Sequence, residues 1–133
     1  MMSANNEALK YICLKRELAD WVDSLKDEGI LNHAQDLIRT GIILGLTCDV
    51  SVVDTKQKEI INRQQGDKNY NSGDIDEDGY ISLLIRRFSG DQTDKNYRRM
   101  QALANVGIEL IRDEFFDEVI KWDEIEKTIK GNT

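Results

Sequence analysis

The 133-residue chain contains no proline, so its helix limits must be set by caps, glycines and periodicity rather than by a missing amide. It has two cysteines, Cys13 and Cys48, and neither stands in a CxxC pair. That excludes a zinc ribbon, and we expect two reduced thiols in a cytoplasmic protein. The one histidine, His33, is too little for a His/Cys metal site and has no sequence support as the base of a Cys–His nucleophile. It stands beside a helix start, where an exposed or cap-adjacent side chain is the plain reading. No apolar run approaches the roughly 20 residues that span a bilayer, and residues 1–10 show no secretory leader, so no membrane association is expected. No glycine pair is followed by GK[ST], which removes a phosphate-binding loop.

What is present is charge and aliphatic surface. The chain is 40% hydrophobic and 32% charged with a net charge of -7, a globular composition that opposes nonspecific binding to polyanions. The charge is uneven. Residues 1–50 carry 5 basic and 8 acidic side chains, residues 51–100 carry 9 and 9, and residues 101–133 carry 4 and 8. An anion-binding face is therefore to be sought in the middle third.

Tyr11, Leu14, Leu18, Trp21, Val22 and Leu25 recur at helical spacing, and Gly29 is placed to end that helix in a left-handed conformation. Tyr11, Cys13 and Lys15 also alternate with Ile12, Leu14 and Arg16. Residues 3–29 therefore read either as one helix or as a short strand followed by a helix. Asn32 and Gln35 resemble a capping box opening a helix over 32–48. Its interior Gly41 and Gly45 cost about 1 kcal/mol each relative to alanine, which implies close backbone packing against another helix. Residues 51–61 read as a short helix or as a strand with a turn. Residues 63–79, rich in Asn, Asp, Gln and Gly, read as one long polar loop. A helix is expected over 80–89, and a long helix over 94–130, straight or with a bend before Ile125. The expectation is an all-α, single compact domain of four to five helices, with or without the N-terminal strand.

Two groupings invite chemistry. Asp74, Asp76 and Asp78, followed by Gly79 and Tyr80, fall at the first, third, fifth, sixth and seventh positions of a calcium loop. The twelfth position, which needs a bidentate Glu, is Ile85, so an acidic solvated loop is the preferred reading. Arg86, Arg87, Lys95, Arg98 and Arg99, with Tyr97 among them, cluster around a short turn between two expected helices. Arginine forks there suit phosphate, and ordinary pairing with Asp91, Asp94 and the acidic tail is the alternative. Lys56, Lys58, Arg63 and Lys68 extend the same face if the long loop folds over it. The carboxylate pairs Asp113–Glu114 and Asp117–Glu118 fit a wet helix face rather than glycosidase chemistry.

Residues 11–18, Trp21 to Lys26, Gly29 and Ala34 to Leu46 resemble a ribbon-helix-helix segment. That resemblance implies a strand that pairs across a dimer and reads the major groove. Leu25-Lys26, Gly29-Ile30, Asn32 and Leu37-Ile38-Arg39-Thr40-Gly41-Ile42 resemble the DndE-like accessory family of the DNA phosphorothioation system. Ile81 to Arg87 and Gly107-Ile108-Glu109-Leu110 resemble the spacing of its second half. The resemblance implies a non-catalytic, DNA-associated, homo-oligomeric subunit of a DNA modification or defence complex of the restriction-modification kind, with no cofactor. The alternative is a protein-interaction or regulatory subunit that touches no nucleic acid and uses the final helix, with Trp122 as an anchor. No nucleophile, base and orienting group can be assembled from these residues, so no enzyme is expected.

Overall fold

The computed structural model describes residues 11–59, 68–71, 75, 76, 78–89 and 97–131. The ambiguity at the N-terminus resolves as strand then helix. Strand β1 (Tyr11–Leu14) buries Ile12, Cys13 and Leu14 and leaves Tyr11 exposed. Helix α1 (Arg16–Asp27) follows, with Leu18, Ala19, Val22 and Leu25 buried. Glu17 in its first turn and Lys26 in its last complement the helix dipole. Gly29 ends it as expected at φ 76, and the Ile30 amide donates back to the Leu25 carbonyl at 2.9 Å.

Helix α2 (Ala34–Gly45) begins one residue later than a capping box at Asn32 would place it. His33 holds the N-cap position in extended backbone, without a side-chain cap bond. Helix α3 (Val50–Glu59) settles residues 51–61 as helical over its described part. Its amide ends are taken by Asp49, whose Oδ1 accepts from the Ser51 amide at 2.9 Å and the Ser51 hydroxyl at 2.8 Å. The expected loop over 63–79 contains strand β2 (Lys68–Asn71), antiparallel to β1 with Ile12 opposite Tyr70. Polar strands of this kind are specified by their partner rather than by their own apolar content. Helix α4 (Tyr80–Ser89) stands where its periodicity put it.

The long C-terminal helix is the main correction. Helix α5 (Tyr97–Glu114) stops, a hairpin of β3 (Phe116–Asp117) and β4 (Val119–Ile120) intervenes, and helix α6 (Trp122–Gly131) follows. Phe115, Val119 and Trp122 keep helical spacing in the sequence, yet Val119 is exposed and Ile120 buried, which is strand alternation. Phe116 leaves the helical path to meet the Trp21 ring edge-on, with centroids 5.4 Å apart.

Among the described residues, six helices and these two ribbons surround one core, and α5 runs through its centre against α2, α3 and β1. The α2–α5 crossing is set by glycine. A Cβ on Gly45 would lie 2.6 Å from the Leu103 carbonyl oxygen, and one on Gly107 would strike the backbone of Gly41. Gly41 and Gly45 thus pack closely, as their cost implies, and the helix they meet belongs to the same chain.

Strand β1 is enclosed on both edges. One edge pairs with β2. On the other, the Cys13 amide donates to Gln101 Oε1 at 2.7 Å and the Lys15 amide to Asn105 Oδ1 at 3.0 Å. Asn105 Nδ2 donates to the Cys13 carbonyl at 2.9 Å and the Gln101 carbonyl at 2.8 Å. The two side-chain amides, four residues apart on α5, take the place of a third strand. A ribbon paired across a dimer requires an open edge of β1. In this fold neither edge is open: β2 takes one, and Gln101 and Asn105 take the other.

Candidate nucleic-acid interface

The basic residues of the middle third fall on two helix ends. Arg86 and Arg87 lie in the last turn of α4, and Arg98 and Arg99 in the first turn of α5. The side chains of Arg86, Arg87 and Tyr97, and the whole of Lys95, are outside the described residues. Arg98 is exposed. Arg99 is not available in the same way. Its side chain is 12% exposed, and Nη1 donates to Asp54 Oδ1 at 2.6 Å and to Gln57 Oε1 at 3.2 Å. Arg99 ties α5 to α3, so the two neighbouring arginines have separate work.

Lys56 is also taken up inside the fold. Its ammonium lies 3.2 Å from Glu109 and 3.3 Å from Glu59. Burial alone would lower its pKa, but the Glu109 and Glu59 carboxylates more than offset this and hold it above the ordinary lysine value. A raised folded pKa gives a contribution that is fully present below the unfolded value of about 10.4 and lost as pH rises through the higher folded value. The stability difference between wild type and Lys56→Met should therefore be constant through neutral pH and shrink above about pH 10.5. Urea titrations at several alkaline pH values measure it, and a difference that grows with pH contradicts the assignment.

The acidic loop works as a cap in the described residues. Asp76 Oδ1 accepts from the Ile81 amide at 2.8 Å, and Asp78 Oδ1 from the Tyr80 amide at 3.1 Å, where Gly79 turns at φ 76. Ile75 beside them is buried, and its carbonyl accepts from Arg39 Nε at 3.0 Å. Asp74 is outside the described residues, and Tyr80 is exposed at the start of α4. No group of three or more His, Cys, Asp or Glu side chains comes together among the described residues.

The two cysteines lie apart in role. Cys13 is buried in β1, its thiol directed to the Leu14 carbonyl at 3.8 Å. The Cys48 thiol is pushed up from its ordinary pKa by burial, with Thr47 acting to lower it and Glu114 to raise it. A raised pKa leaves little thiolate, which opposes a nucleophilic role.

Sequence periodicity gives no notice of Gln101 and Asn105, the polar pair that holds β1. Their only signal is an amide pair at i and i+4 within an otherwise apolar stretch of helix. The exposure of Val119 is hidden by its helical spacing, whereas Trp122, expected as an anchor, is exposed at the start of α6. Among the described residues no helix is long and apolar enough to cross a membrane. No family model, curated protein or solved structure matches this chain.

Proposed function

We propose that the chain is a non-catalytic, DNA-associated accessory protein of a DNA modification or defence system, working in the cytoplasm as a homo-oligomer. The observation that carries the reading is the exposure of Arg98 on the first turn of α5. Arg86 and Arg87 stand in the last turn of the preceding helix, so with Arg98 three arginines fall on two consecutive helix ends, while Arg99 is held by Asp54. Phosphate neutralisation by a few such groups gives binding without base readout, which suits an accessory role.

The test separates the two arginines of α5. Duplex, nicked and single-stranded DNA are titrated at about 50 and 200 mM salt. Arg98→Ala should weaken binding and reduce the salt slope by about one counterion. Arg99→Ala should leave the slope unchanged and cost about 1 kcal/mol of stability through the loss of Asp54. DNA binding absent at the lower salt sinks the reading, as does an unchanged slope in Arg98→Ala.

A further inference from the structure

The hairpin after α5 presents apolar side chains to water. Ile120 turns inward and Val119 is 61% exposed, as alternation along β4 requires. Trp122 opens α6 at 42% exposure, while Ile125, one turn further along the same face, is buried. Val119 and Trp122 thus stand where a continuous apolar face runs out of core to cover it. Their base is firm. Phe116 packs on Trp21, and the Lys121 amide donates to the Phe115 carbonyl at 2.8 Å. The apex, Glu118, holds a left-handed φ of 67, which an L-residue adopts only when its surroundings fix the turn.

The surround is strongly acidic. Asp113, Glu114, Asp117, Glu118, Asp123 and Glu124 are all exposed. Against them stand Arg112, whose Nε is held by Asp113 at 3.0 Å, and Lys121, whose ammonium lies 3.8 Å from Glu124. The local cations are thus already matched, and carboxylates remain in excess.

We propose that the β3–β4 hairpin and the first turn of α6 form a docking surface for a basic, apolar segment of a protein partner. An aliphatic or aromatic side chain of that segment packs on Trp122 and Val119, and its Lys or Arg residues face the acidic surround. Charge complementarity selects this occupant. A second copy brings the same carboxylates to the contact, and nucleic acid or an anionic membrane meets like charge there. An exposed tryptophan on a rigid base is the kind of side chain that carries binding energy. The surface lies beyond the C-terminal end of α5, and helical rise puts Glu114 about 24 Å from Arg98. It therefore neither requires nor obstructs a DNA contact at the other end of that helix.

The probe is a fluorescein-labelled peptide of alternating Lys and Leu, with a Glu/Leu peptide of the same length as control, titrated by anisotropy against the full chain. The Lys/Leu peptide should bind and the Glu/Leu peptide should not. Trp122→Ala should weaken binding about tenfold or more, with Trp122→Phe retaining part of it. Asp117→Asn combined with Glu118→Gln should reduce the dependence on salt. Val119→Ser, at an exposed position, supplies the same readout if Trp122→Ala does not fold. Leu83→Ser, exposed on α4, should change nothing. Absence of binding, equal binding of the Glu/Leu peptide, or Lys/Leu binding indifferent to both hairpin substitutions overturns the proposal. The last of these outcomes means general attraction to an acidic protein. A dimer that dissociates in Trp122→Ala also overturns it, because the occupant is then a second copy.

Discussion

Gly107→Ala should cost about 3 kcal/mol or more of folding stability, and Gly107→Leu should abolish folding. Away from any contact the alanine change favours a helix interior by up to about 1 kcal/mol, because glycine loses more backbone freedom on folding. Here the added methyl strikes the carbonyl oxygen, carbonyl carbon and Cα of Gly41, all main-chain atoms of a second helix. A flexible side chain can swing away, but a helix backbone moves only as a unit. The α2–α5 crossing must therefore open along its length, and Gly45 against Leu103 opens with it. For a domain with stability of about 5–15 kcal/mol, this is a large fraction. Urea unfolding followed by circular dichroism measures it, with Gly131→Ala as the reference, since nothing lies near a Cβ at that position. A Gly107→Ala protein as stable as wild type means the crossing is looser than these contacts require.

That crossing also shows what a single sequence discloses. Gly41 and Gly45 are costly inside a helix, and the cost by itself points to close packing. It does not name the other helix, because Gly107 sits in an equally helical run and nothing local pairs the two. Gly29 is legible for the same local reason, as is α4 with its apolar period. The failures share one cause. β2 exists because β1 offers it an edge, and Lys68 to Asn71 carry little strand signal of their own. The spacing that suggests a long final helix is one that a hairpin happens to preserve, and the break is fixed by Phe116 reaching Trp21 across the fold. Of the basic cluster, the sequence supplies the residues and their helix ends. It does not show that Arg99 answers Asp54 while Arg98 faces solvent. Long-range partners divide residues of one type into different roles, and periodicity is blind to them.

Asn105 is the strongest instance of such a division. It is the one fully buried polar side chain among the described residues, at 0% exposure in the middle of an apolar helix face. Its carboxamide both accepts from Lys15 and donates to Cys13 on the same edge of β1. An amide meets both demands at once without charge. Asn105→Leu keeps the branched shape in a somewhat bulkier side chain but strands the Lys15 amide and the Cys13 carbonyl. Each unsatisfied buried group costs about 1–3 kcal/mol, so a loss of about 2–5 kcal/mol is expected. That loss should not vary with pH between about 4 and 7, because no titrating group is changed. Asn105→Asp should behave differently. As a carboxylate it accepts from Lys15, cannot donate to Cys13, and carries charge where no water reaches, so its folded pKa must lie above the unfolded value of about 3.9. Protonated, the acid regains a donor for the Cys13 carbonyl. A raised folded pKa confers stability at low pH that is lost as pH rises through it. Relative to wild type, Asn105→Asp should therefore recover on acidification, while Asn105→Leu keeps a constant deficit. Urea titrations of the three proteins across that pH range distinguish the cases. Parallel curves for the two variants mean that β1 satisfies its inner edge without this amide, and that the enclosure of the strand rests on β2 and Gln101 instead.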